Sequence, residues 1–403
     1  MLRLALRNVF RHKFRTGITL AAIAFGVVGL ILSGGFVHDI FVKLGEAVIH
    51  SQTGHLQIAR TGFNEKGTRK PDHYLIDDVA RLKARVASRP EVDDVMARVS
   101  FSGLLNNGRS DLAIVGEGLE PDKEARMGTH LMLVAGRQLS ATDKNGVLVG
   151  HGVAHALRLV PGDRVTILTT TMAGAANTHD ADVVGVFQTF SKDYDARAIK
   201  LPLPAAQDML GSSQVNTVVV TLRDTGETVD MARRLRTELA ADDLEVNTWQ
   251  QLNDFYDKTV RLYDKQFGVL RLIVLFMVLL SVANSVNMSV FERTAEIGTM
   301  RALGNRSRWV FRLVVTEALL LGLMGSLIGL ALSATLALSI SAIGIPMPPP
   351  PNADVGYVAQ IPLVAETIGG ALVVGVAAAT LAGMLAGARV LRISVVDALR
   401  QAV

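Results

Sequence analysis

A chain of 403 residues in which 49% are hydrophobic and 19% charged, with a mean hydropathy of +0.33, is too apolar to consist of soluble domains alone. The formal net charge of +4 is small and its basic residues crowd the ends of apolar runs, which argues for membrane topology and against a nucleic-acid partner. Cysteine is absent, so disulfides and thiolate-bound metals are excluded.

The first fifteen residues place Arg3, Arg7, Arg11 and Arg15 four apart, with Leu2, Leu6, Val9, Phe10 and Phe14 beside and behind them. On one helix these arginines form a basic stripe. Residues 1–15 are therefore expected to be a cytoplasmic amphipathic helix lying at the membrane interface, arginines toward lipid phosphate. A basic flank that only fixes topology is the plainer alternative. Residues 16–37 carry no charge and suffice to cross about 30 Å of hydrocarbon. The run exceeds the roughly 7 to 15 apolar residues of a signal peptide, so it is read as transmembrane helix 1.

From 38 to 267 the character changes to short β-branched runs, helical patterns and turn residues, as expected of an extracytoplasmic α+β domain with its own core. Strands are expected at 56–59, 95–100, 112–115, 147–149, 165–169, 183–186 and 217–222. Helices are expected at 77–88, with Asp77 as N-cap, and at 228–239. His151 and His155 fall on one helical face, but Gly152 stands where a His-Glu-x-x-His site needs its acid, and no metal site is expected.

Residues 268–291 are expected to be transmembrane helix 2. Ser281, Asn284, Ser285 and Met288 share one face, with Asn287 nearby, and Ser281, Asn284 and Asn287 are candidates for cargo contact or interhelical bonding. A polar cytoplasmic stretch at 292–312 precedes transmembrane helix 3 at 313–342, a Pro-rich periplasmic loop at 343–365, transmembrane helix 4 at 366–388 and a cytoplasmic tail at 389–403. Gly325-x-x-x-Gly329 and Gly383-x-x-x-Gly387 permit close helix approach, within the chain or across a dimer seam. Arg293, Arg301, Arg306, Arg308 and Arg312 lie between helices 2 and 3, whereas 341–366 holds no Lys or Arg. Both termini and the middle loop are thus expected inside, and the large domain outside, in a bacterial inner membrane.

The middle loop reads Glu292-Arg293-Thr294-Ala295-Glu296-Ile297-Gly298, then Met300-Arg301-Ala302-Leu303-Gly304. This closely resembles the signature of FtsX-like permeases, and Glu317 to Gly329 and the close at Ala388 to Arg400 continue the likeness. Gly146 to Gly150, Pro161 to Thr166, Val184 to Phe187 and Leu201 to Met209 resemble, more loosely, the periplasmic core of MacB-type proteins. The resemblance implies four transmembrane helices with a large α+β domain between the first and second, a plan shared with the lipoprotein-releasing Lol permeases. It further implies that a short helix bearing Glu292, Arg293, Glu296, Ile297, Met300, Arg301, Leu303 and Gly304 receives force from an ABC ATPase. Of these, Ile297, Met300, Arg301 and Gly304 are expected to form the docking face.

The chain has no Gly-x-x-x-x-Gly-Lys-Ser/Thr, so no cofactor is expected in it and ATP with Mg would be bound by a partner ATPase dimer. A second permease copy or paralogue is the other expected partner. In Lol permeases a hairpin of the outward domain recruits a periplasmic chaperone. The equivalent here, Thr170 to Ala181, lacks proline and an aromatic anchor and is expected to be a plain connecting loop. The function implied is a non-catalytic permease subunit that passes cytoplasmic ATP hydrolysis to its outward domain and moves a lipoprotein, lipid or other amphiphile. The alternative is an FtsX-like transmitter acting on a cell-wall hydrolase, which the size of the outward domain disfavours.

Overall fold

The computed structural model describes residues 2–67, 71–127, 131–189, 191–303, 305–348 and 356–390. The expected cytoplasmic tail from 391, Gly304, and Pro349 to Pro351 lie outside the described residues. The chain divides into two compact units, a helical one made of Met1–Phe41, Thr259–Met347 and Val358–Val403 and a sheet one made of Val42–Lys258 and Pro348–Tyr357.

Among the described residues four helices have the length and apolarity of membrane spans, and they are numbered span one to span four below. Span one runs Lys13–Val48 and span two Asp254–Glu292, at 36 and 39 residues. At 1.5 Å per residue these rods reach about 54 and 58 Å, well beyond the roughly 30 Å of a hydrocarbon core. Span three is Ser307–Ile343 and span four Ala365–Val390. Between spans two and three sits a separate short helix, Thr294–Ala302.

Glycine allows the spans their close approach. A Cβ on Gly325 would come within 2.7 Å of Ile23 in span one, and one on Gly383 within 2.4 Å of Ala318 in span three. Gly329 abuts Ala24 and Val27, and Gly387 abuts Phe311. Both Gly-x-x-x-Gly pairs are therefore used for packing inside this chain. Where span one and span two leave the bilayer-length part of their course, Phe41 meets Tyr263 edge to face at 5.5 Å.

Among the described residues the sheet unit holds one sheet of ten strands: β1 Leu56–Arg60, β2 Val92–Asn106, β3 Asp111–Leu119, β4 Met132–Gly136, β5 Gly146–Gly150, β6 Arg164–Thr170, β7 Ala176–Gln188, β8 Ala198–Pro202, β9 Thr217–Leu222 and β10 Leu244–Thr248. The order is β10-β1-β9-β2-β3-β8-β5-β7-β4, and β6 bridges β2 and β7. Strand β2 links two lobes. Its first half pairs with β9, its second half with β3 and β6, and the circuit β2-β3-β8-β5-β7-β6 closes on itself. Closure leaves none of these six strands at an edge, and β4, paired with β7, is the edge strand of that lobe. Gly103 permits it, because a Cβ there would meet the Leu168 carbonyl oxygen at 2.4 Å.

Each strand expected from the sequence is present, and β4, β8 and β10 are additional. The first expected helix begins later, at Val79, because the Asp78 carboxylate rather than Asp77 accepts the Arg81 amide at 3.0 Å. Asp77 instead pairs with Arg60 at 3.2 Å. The segment expected as a connecting loop at 170–181 is mostly strand: Thr170 pairs with Ala176, leaving only 171–175 as the turn.

At the entrance to the sheet unit the backbone of span one's last turns is tied down. Gly45 lies against the Trp249 ring, and Val48, Ile49, Trp249 and Tyr256 form one apolar cluster. The buried His55 accepts the Leu222 amide at Nδ1 and donates from Nε2 to Thr225, whose hydroxyl donates to Glu46 at 2.7 Å. Burial, reinforced by nearby His50, pushes the His55 imidazole down to about 4.

Candidate coupling site

The short helix Thr294–Ala302 is anchored by its inner face. Thr294 is buried and its hydroxyl donates to the carbonyls of Val290 and Phe291, which turns the chain out of span two. Met300 packs against the buried Val310, as Val290 and Trp309 also do. Met300, expected on the docking face, is half-buried, with part of its side chain turned toward the bundle. The side chains of Ile297 and Arg301, and all of Gly304, lie outside the described residues. On the outer side Glu292 at the end of span two, Glu296 and Thr299 on the helix, and Leu303 just after it follow one another, and Leu303 is 81% exposed.

The first half of that outer face is covered by the N-terminal segment. Arg11 donates to Glu296 at 2.7 Å, and Arg15 grips Glu292 with two bonds of 2.7 and 2.5 Å. His12 approaches Glu292 at 3.8 Å. Against the pull of partial burial, the hydrogen bond from Arg11 above all, joined by Arg293 at 3.2 Å, holds the Glu296 carboxyl below the usual carboxylate range.

Deeper in, Glu317 of span three accepts from Asn8 at 2.5 Å and from Arg293 at 3.3 Å, with only 13% of its side chain exposed. A cavity of about 50 Å³, room for a water, is lined by Asn8, His12, Arg293 and Glu317 and by apolar side chains such as Val290, Val310 and Leu313. The sequence does not mark Asn8 or His12 for this site, and Glu317, expected at the end of span three to reach the membrane interface, is instead largely buried and paired. The available signal was a lone acid in an apolar run, which needs a partner.

The four-arginine stripe is not on one helix. The first helix is Leu2–Val9, the chain turns at 10–12, and span one begins at Lys13. The Thr16 hydroxyl donates to the Val9 carbonyl and stabilises that turn. Arg3 and Arg7 are exposed on the first helix, Arg11 is in the turn and Arg15 is in span one. Ala5 and Val9 form the buried side of the first helix, with Leu4, Leu6 and Phe10 exposed.

Of the candidate polar stripe in span two, Ser281 and Asn284 line an open cavity of about 610 Å³ together with Lys13, Phe14, Ile18, Thr19, Ser285 and Met288. Thr19 donates to Ser285 at 2.7 Å, joining spans one and two. Asn287 does not line this cavity. Among the described residues no cluster of His, Cys, Asp and Glu is arranged to hold a metal ion.

Comparison with known proteins places these features in context. Residues 16–238 match the model of the MacB-like periplasmic core domain, and residues 268–395 match that of the FtsX-like permease C-terminal region. Lipoprotein-releasing system transmembrane protein LolE of Haemophilus influenzae is 24% identical over 335 residues, covering 81% of this chain and 76% of that relative. LolC of Neisseria meningitidis is 23% identical over 357 residues, covering 85% and 81%. Macrolide export ATP-binding/permease protein MacB of Neisseria gonorrhoeae is 23% identical over 351 residues, covering 83% of this chain, which spans about half (52%) of that longer relative. The crystal structure of the periplasmic region of MacB from Actinobacillus actinomycetemcomitans aligns over 53% of this chain and 95% of its own, with 17% identity and a TM-score of 0.38, a likeness too slight to carry an argument.

Proposed function

The chain belongs to the family of ABC transporter permeases that carry a MacB-like periplasmic core domain and an FtsX-like permease region, and from that premise we propose that it works as a mechanical transmitter. In this reading a separate cytoplasmic ATPase dimer binds ATP and Mg, presses on the helix Thr294–Ala302, and so moves the spans that lead to the outward domain. The termini and this helix face the cytoplasm of a bacterial inner membrane, with the sheet unit in the periplasm. A second permease copy or paralogue completes the complex.

The observation that carries the proposal is the placing of an exposed, rigidly rooted helix between two spans, one of which is a 39-residue rod. Thr294 and Met300 root it, so force on Leu303 is not dissipated locally. The cargo is an amphiphile drawn from the outer leaflet. A lipoprotein is the first candidate, supported by similarity to proteins named as lipoprotein-releasing. The cavity beside Ser281 and Asn284 is the polar part of the bundle where such a molecule, or a partner span, would find hydrogen bonds.

The test is co-purification of the ATPase with Leu303→Asp and, separately, Arg301→Glu. Each variant is expected to insert normally and to lose at least tenfold of the bound ATPase. Undiminished co-purification and ATP hydrolysis in both would refute docking at this helix.

A further inference from the structure

We propose that the N-terminal segment is a clasp that fastens the coupling helix Thr294–Ala302 to span one, so that displacement of this helix is delivered to span one as directly as to spans two and three. The inference rests on the reading that this helix receives the ATPase. Covalent connection joins it to spans two and three alone, and span one must be reached through side chains.

The chain supplies that route at three points. Arg15 lies within span one itself and holds, through a two-bond fork, Glu292, the last residue of span two and two residues before the coupling helix begins. Arg11, two residues before span one starts, holds Glu296 at 2.7 Å. Asn8 and Arg293 share the same oxygen of Glu317, which locks the first helix, the root of the coupling helix and span three around a largely buried carboxylate. The Thr19 to Ser285 bond extends the seam one turn further along span one.

The clasp also divides labour on the coupling helix. Glu292, just before this helix, and Glu296, on it, have their charges satisfied by the chain's own arginines, and Ala302 and Leu303 are exposed at its far end for a partner. Among the arginines of the N-terminal segment, Arg3 and Arg7 remain exposed and are the ones placed to meet lipid phosphate. A basic stripe devoted wholly to lipid would not aim two of its members at carboxylates 277 and 285 residues away.

The experiment uses the complete permease–ATPase complex in nanodiscs, with a fluorophore on Arg109→Cys of the otherwise cysteine-free chain to read nucleotide-driven change in the outward domain. The reversal Arg11→Glu/Arg15→Glu is expected to keep ATPase co-purification within twofold and to reduce the fluorescence response at least fivefold. Adding Glu292→Arg/Glu296→Arg is expected to restore the response to within twofold. An intact response in the reversal, loss of the ATPase from it, or failure of the charge swap to restore would each overturn the clasp. Failure of the swap is also what lipid-reading arginines predict. Independently, the thiols of Arg11→Cys/Glu296→Cys should both be alkylated by one short bis-maleimide, which bridges the length of an Arg–Glu side-chain pair, in membranes that contain no ATPase, and absence of that crosslink would overturn the clasp. That crosslink together with a silent wild-type complex would instead overturn the coupling reading while leaving the clasp in place.

Discussion

Two charged clusters in this chain use the same residue types at opposite levels of burial. At the coupling helix Arg11 and Glu296 have 54% and 43% of their side chains exposed. In the sheet unit Arg98 and Glu124 have 3% and 6% exposed, at 2.9 Å, and Lys200 reaches the other oxygen of Glu124 at 2.7 Å with 1% exposed. Glu117 stands 3.8 and 3.9 Å from the two cations, and the Lys200 ammonium lies 5.6 Å from the Phe187 ring. Water screens the first cluster, so its pairs separate and re-form at little cost. The second is shut away from water and cannot lose one partner without stranding another. On the proposed reading the first arrangement suits a moving joint, and the second suits a rigid body that passes force on without deforming.

Breaking the buried cluster has the largest expected effect. Glu124→Gln leaves Arg98 and Lys200 buried with too little negative charge, and should destabilise the sheet unit by about 3–5 kcal/mol, read from denaturant unfolding of the purified chain. Burial alone would raise the Glu124 carboxyl, but Arg98 and Lys200 outweigh it and hold it at about 2. Its contribution is therefore present above the unfolded carboxylate range and is lost only as pH falls through that range toward 2.

Acid acts earlier through His55. Its imidazole sits at about 4 in the folded unit against about 6.5 unfolded, so the unfolded chain takes up the proton first as pH falls. Stability is fully present above about 6.5 and declines by roughly 3 kcal/mol by pH 4. His55→Gln should flatten the pH profile across that window, with the remaining slope confined to lower pH.

In the bundle, Gly325→Leu forces a side chain into Ile23 and should cost about 1–3 kcal/mol, measured as a loss of thermal stability in detergent. The smallest effect on stability sharpens the comparison most. Arg11→Ala removes an exposed pair and should cost less than about 1 kcal/mol, yet reduce nucleotide-driven movement of the outward domain several-fold. Stability and transmission would then be separable at the joint and inseparable in the rigid body.

Much of this arrangement is legible in the amino-acid order, for identifiable reasons. The apolar runs of the spans and the β-branched runs of β2, β7 and β9 state their own environments. Strand β8 does not, because Ala198-Ile199-Lys200-Leu201-Pro202 places a lysine in a fully buried strand, and only the distant Arg98, Glu117 and Glu124 make that tolerable. Strand β4 exposes Met132, Leu133 and Val134, so alternation gives no clue to it. The N-terminal arginines show the same limit. Their four-residue spacing suggests one helical stripe, but the helix ends at Val9 and partners nearly three hundred residues away decide where Arg11 and Arg15 point. Glu317 was visible as an acid among apolar neighbours, whereas its pairing with Asn8 and Arg293 is a property of the folded bundle.

Cysteine substitution at Leu303 tests the central claim most directly, since the chain has no other cysteine and this side chain is exposed at the end of the coupling helix. In intact cells the thiol should resist a membrane-impermeant reagent, react with a permeant one, and become shielded when the ATPase is co-expressed. Labelling of Leu303→Cys by the impermeant reagent from outside, or labelling indifferent to the ATPase, would contradict transmission from a cytoplasmic motor through this helix.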